Sequence, residues 1–166
     1  MPVHSAAGIV ARLIEAGRTV AVAESLTGGA LAAELVSVPG VSAVLRGGVV
    51  AYATDVKASL LGVDADLLAA HGPVHPQVAL EMADGVRAAL GAEIGLGTTG
   101  VAGPGPADGQ PAGTVFVACT TPTWRAVRGY HLAGARPAVR SATVALALAL
   151  LRQAGEQAGR PRRWEE

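Results

Sequence analysis

Ser25 and Lys57 are the two side chains of this sequence best suited to covalent chemistry. Ser25 follows an apolar stretch, Thr19 to Ala23, and sits in the run Glu24-Ser25-Leu26-Thr27-Gly28-Gly29. Where a parallel strand gives way to a helix, free N–H groups and the positive end of the helix dipole face the ligand side of the sheet. A serine there meets substrate beside an oxyanion-friendly backbone, and Gly28 and Gly29 let a substrate come close to that backbone. The same position also suits a plain helix N-cap. No Gly-x-Ser-x-Gly elbow occurs, so the α/β-hydrolase template does not apply.

Lys57 stands out because it is the one lysine among 13 lysines and arginines. Arginine stays protonated in a protein, whereas a desolvated lysine amine can lose its proton near neutral pH and act as a general base. A lone lysine therefore points to a task that arginine cannot do; the alternative is one surface lysine left over in an arginine-biased chain. Tyr52 precedes it at the end of an apolar run, so the corner Tyr52 to Lys57 can project a phenol and an amine toward the sheet edge that carries Ser25. Tyr52 can equally be a core ring with its hydroxyl at the surface.

A third segment, Thr98-Thr99-Gly100-Val101-Ala102-Gly103-Pro104-Gly105-Pro106, is rich in small residues whose amides can hold a phosphate or an ester oxygen; a rigid turn is the competing reading. Gly95 to Gly100 matches G-x-G-x-x-G, but Pro104 and Pro106 prevent a helix from opening behind it, which rules out a dinucleotide fingerprint. Metal chemistry is not indicated. His71 and His75 are separated by Gly72-Pro73, and no H-E-x-x-H or paired-cysteine spacing occurs. A Ser–His pairing through His75 remains open as a lesser alternative.

The elements that must position these residues follow from apolar spacing. The pattern predicts a helix over Ala6 to Ala16, a strand over Thr19 to Ala23, a helix over Gly29 to Val36 and a strand over Val44 to Tyr52, where Gly47-Gly48 marks a bulge or a close backbone approach. Short helices over Asp55 to Leu61 and Asp64 to Ala70 come next, then one from Pro76 to Leu90. A strand over Ile94 to Thr98 feeds a loop, Gly100 to Gly113, with no regular structure. Thr114 to Thr120 and Arg125 to His131 form an antiparallel pair, and a last helix covers Pro137 to Gln153. This order predicts an α/β fold, a three-layer α/β/α sandwich around a mixed, mostly parallel sheet with one antiparallel strand.

Composition limits the function classes. At 166 residues the chain suits one domain, expected over residues 1–157, with 158–166 as a flexible tail. Only 3% of residues are aromatic, so the core is built from Ala, Val and Leu. A net charge of zero argues against nucleic-acid or membrane-surface partners, and the arginines at 160, 162 and 163 are offset by Glu165 and Glu166. A single cysteine, Cys119, excludes an internal disulfide framework. No signal peptide is read, and the apolar run Val144 to Leu151 is too short to cross a bilayer, so a cytoplasmic location is expected. An Ala-rich chain with few surface charges is compatible with a homo-oligomer.

Five segments together resemble the C-terminal domain of the competence-damage-inducible protein CinA, a family whose domain also occurs alone as nicotinamide-nucleotide amidase. They are Ala23 to Gly29, Tyr52 to Lys57, Gly72-Pro73-Val74, Thr99 to Pro104 and Pro111 to Val115; they come in family order, and the likeness runs on through Arg136 and Arg140. The resemblance implies hydrolysis of nicotinamide mononucleotide to nicotinate mononucleotide and ammonia without metal or organic cofactor. Ser25 would be the nucleophile, with Lys57 and Tyr52 beside it and Thr99 near the substrate. Lys57 would take the Ser25 proton, and N–H groups near Thr27, Gly28 and Gly29 would hold the oxyanion. Arg136, Arg140 or the loop from Gly103 to Gly105 would bind phosphate, a choice the sequence leaves open. No room is left for the larger N-terminal domain that some relatives carry. Leu26, Thr54 and His75 replace the family's usual Cys, Asn and Ser; the last two bear on substrate contacts. The rival expectation is a non-catalytic nucleotide-binding or regulatory module of the same fold.

Overall fold

A computed structural model describes residues 5–158. The chain runs α1 (Ala6–Glu15), β1 (Val20–Glu24), α2 (Ala30–Val36), β2 (Leu45–Val50), α3 (Thr54–Leu61), α4 (Ala65–His71), α5 (Pro76–Ala89), β3 (Ile94–Gly100), β4 (Thr114–Thr120), β5 (Arg125–His131) and α6 (Arg136–Ala158). The sheet order is β2-β1-β3-β4-β5. β1 lies parallel to β2 and β3, while β4 runs antiparallel to both β3 and β5. Four strands therefore share one direction and β4 alone is reversed, as the short connection before β5 demands. The tail expected from residue 158 onward lies outside the described residues, apart from Ala158 at the end of α6.

β1 is buried along its whole length because helices cover both faces of the sheet. Val20 and Val22 pack with Leu13 of α1, Leu35 of α2 and Leu151 of α6. Ala21 and Ala23 face the other way, against Leu61 of α3, Leu68 of α4 and Met82 of α5. The alternation of β1 thus divides the core into the two outer layers of a sandwich. Among the described residues, no helix is long and apolar enough to cross a membrane.

Two glycine patterns acquire physical reasons. A Cβ at Gly95 or Gly97 would collide with the carbonyls of Ala83 and Ala79, so these positions let α5 lie directly on β3. The apparent G-x-G-x-x-G is a packing signature. At the other edge the register shifts from Val20↔Leu45 to Ala21↔Gly47, leaving Arg46 as the extra residue of a bulge, and Gly48 lies close to Val22 and Ala32.

Two boundaries differ from expectation in ways that matter for the site. β2 stops at Val50 rather than continuing to Tyr52, because Ala51 and Tyr52 turn their carbonyls toward a side chain of α3. The loop after β3 also contains a closed turn. Ala107 and Gln110 exchange backbone hydrogen bonds of 3.0 and 2.9 Å around Asp108 and Gly109, whose φ values of 51° and 73° are those of a primed hairpin turn.

Candidate active site

The C-terminal ends of β1 and β3 and the start of α3 meet at one cavity of about 260 Å³. Ser25 enters it from the end of β1, where its N–H donates to Thr98 O at 3.1 Å and fixes the backbone to β3. Lys57 comes from α3 and is only 1% exposed. Its Nζ lies 3.1 Å from Ser25 Oγ, 2.8 Å from Ala51 O and 3.2 Å from Tyr52 O. The bend that ends β2 therefore supplies the two carbonyls holding the amine against the serine.

This set of partners suits a neutral amine. Two carbonyls can each accept an N–H, which leaves the lone pair facing a hydroxyl able to donate. Burial lowers the Lys57 pKa to about 8, and the Asp108 carboxylate partly opposes that fall. Desolvation dominates because none of the three contacting oxygens carries a formal charge. The pair can consequently form an activated serine near neutral to mildly alkaline pH.

Glu24 does the capping that the sequence left to Ser25. Its carboxylate, 1% exposed, accepts from the N–H groups of Gly29 at 3.1 Å, Leu31 at 3.0 Å and Ala32 at 2.9 Å. Gly28 N–H donates to Ser25 O at 3.1 Å, so neither glycine amide is open to an oxyanion. The N–H groups of Leu26 and Thr27 have no protein partner among the described residues, which moves the candidate oxyanion donors next to Ser25. Glu24→Gln is expected to lose on the order of 2–4 kcal/mol, because a neutral amide turns N–H donors toward the α2 amides and gives up a charged acceptor. Thermal denaturation should show a midpoint roughly 5–15 °C lower; an unchanged midpoint would refute this capping role.

The remaining predicted residues separate into cavity walls and supports. Thr99 lines the cavity and donates to Pro73 O at 2.7 Å. Gly103, Tyr52, Thr54 and Arg136 also line it. Arg136 donates to Gly103 O and to Tyr52 Oη, both at 3.0 Å, so the phenol is tied to the cavity mouth while the Tyr52 carbonyl serves Lys57. Thr27 is turned away, sharing a 2.8 Å hydrogen bond with Thr98 behind the serine. Arg140 donates to Leu26 O at 3.0 Å and to Thr27 O at 2.8 Å, which makes it a clamp on the Ser25 loop outside the cavity. His75 is also outside: its Nδ1 accepts from Gln77 N–H at 3.2 Å and caps α5. Among the described residues, no three His, Cys, Asp or Glu side chains gather as a metal site.

Asp108 lines the cavity and was missed by sequence reasoning, although Asp108-Gly109 is the dipeptide of a tight hairpin turn. Glu24 was missed because its partners lie in the next helix, and its approach to them depends on the two left-handed glycines between.

A mixed α/β/α sandwich whose first strand delivers a serine onto a buried lysine defines a small α/β domain with a serine–lysine site. The chain belongs to the CinA C-terminal domain family, whose pattern matches residues 3–154. It is 50% identical over 145 residues to a CinA-like protein of Frankia casuarinae, covering 87% of this chain and 34% of that protein. It thus spans about a third of the length of the curated relatives it matches. A crystal structure of a competence-damaged protein (CinA) superfamily protein from Klebsiella pneumoniae is similar with a TM-score of 0.87 and 34% identity, over 95% of this chain and 99% of that one. The competence/damage inducible protein CihA from Agrobacterium tumefaciens gives a TM-score of 0.84 at 34% identity, over 92% and 96% of the two chains.

Proposed function

We propose that this domain is a cytoplasmic amidohydrolase that converts nicotinamide mononucleotide to nicotinate mononucleotide and ammonia. The observation that carries this reading is the buried Lys57 amine, 3.1 Å from Ser25 Oγ and otherwise held by two carbonyls. Neutral Lys57 takes the Ser25 proton as Oγ attacks the carboxamide carbon, and the Leu26 and Thr27 amides receive the oxyanion. The protonated lysine returns the proton to the departing nitrogen, and ammonia leaves an acyl ester on Ser25. Water, deprotonated by the same amine, then cleaves the ester to give the carboxylate.

Arg136 is the better phosphate ligand of the two arginines. It lines the cavity and is held by a carbonyl and a phenol, whereas Arg140 is committed to the loop behind Ser25. An anionic group can recruit the Arg136 guanidinium without breaking an ion pair, since it has none among the described residues.

Purified protein is expected to release one ammonia for each nucleotide consumed, at a rate that excess chelator leaves unchanged. Coupled ammonia detection measures this directly. Nucleotide binding without ammonia release would identify a binding module instead, and a chelator-sensitive rate restored by a divalent ion would overturn the metal-free mechanism.

A further inference from the structure

Among the described residues the cavity is lined by one carboxylate, Asp108, at the tip of the loop after β3, and its charge acts on the buried Lys57 amine. Its backbone is set by the turn closed between Ala107 and Gln110, and Gly72 lies beside it at van der Waals distance. Asp108 does not belong to the serine–lysine pair, because the three partners of Lys57 Nζ are Ser25, Ala51 and Tyr52. It is a negative charge in the wall of the cavity that Ser25 and Lys57 also line.

Hydrolysis of a carboxamide changes charge at this place. The substrate group is neutral and the product group is a carboxylate, generated beside a lysine that is largely protonated below about pH 8. Left with Lys57 alone, the site would hold its product by a new ion pair. We infer that Asp108 is a specificity-determining residue that sets the cavity against the carboxylate product and in favour of the neutral carboxamide. This inference rests on the amidohydrolase reading. Like charges across a partly solvated cavity repel weakly, so the discrimination should be about three- to tenfold.

The test measures binding in a background that cannot turn over. Nicotinamide mononucleotide and nicotinate mononucleotide are titrated calorimetrically into the Ser25→Ala protein, with and without Asp108→Asn. Asparagine tolerates the left-handed backbone at position 108, so the turn should persist. The expected result is nicotinate mononucleotide binding about three- to tenfold tighter after Asp108→Asn, with the affinity for nicotinamide mononucleotide changed less than twofold. An unchanged ratio of the two affinities overturns the inference even if the wild-type protein releases ammonia. Absence of ammonia release by the wild-type protein overturns the amidohydrolase reading separately, and binding of neither nucleotide overturns both.

Discussion

Ser25→Ala is expected to reduce ammonia release to background while leaving the melting temperature within about 2 °C of the parent. The expected rate loss is on the order of 10⁴-fold or more, because removing the nucleophile of a covalent mechanism removes nearly all of its catalysis. Retained stability follows from the local hydrogen bonding. α2 is capped by Glu24, and the Ser25 bonds to Thr98 O and from Gly28 N–H are made by backbone atoms that alanine keeps. What alanine loses is the contact between Oγ and Lys57 Nζ. A serine that was only a cap would show the reverse, with about 1 kcal/mol lost in stability and turnover near normal. Ammonia assays and thermal denaturation on one preparation distinguish the cases, and substantial residual turnover would remove Ser25 from the nucleophile role.

The legibility of the fold came from periodicity, and the limits of that reading came from contacts between distant segments. Among the described residues, five strands and six α-helices follow from runs such as Val20 to Ala23 and from Pro76 opening α5, because these signals are local. The lysine count singled out Lys57, and Lys57 is among the largest fully buried side chains of the described residues. Nothing local says that Tyr52 offers its carbonyl to Lys57 and its phenol to Arg136, which lies 84 positions away. Arg140 reads as a candidate phosphate ligand by residue type; only the packing of α6 on the Ser25 loop reveals that it donates to Leu26 O and Thr27 O there, outside the cavity. The candidate oxyanion donors shifted for a related reason. Gly28 and Gly29 supply left-handed backbone, with φ of 58° and 95°, and that geometry turns their amides inward to Ser25 O and Glu24.

Lys57→Arg and Lys57→Met should each lower turnover by on the order of 10² to 10⁴, the usual range for loss of a general base. The two variants separate proton transfer from charge. Arginine keeps a positive charge but cannot accept the Ser25 proton, and it must fit a guanidinium into a site where lysine is 1% exposed. Methionine approximates the lysine stem without an amine. In the parent protein kcat/KM should rise with pH to a plateau with a midpoint near 8, since the amine is protonated and idle below its pKa of about 8 and free above it. That rise should be absent from both variants. Stability carries the same signature with a definite sign: the folded pKa of Lys57 is about 8 against 10.5 unfolded, so between those values the unfolded chain binds the extra proton. Lys57 therefore makes folding more favourable as pH rises through that window, and the contribution disappears in Lys57→Met. A parent rate that is flat from pH 6 to pH 9, or a Lys57→Arg protein with near-normal turnover, would leave Lys57 as a structural charge and require another group to take the serine proton.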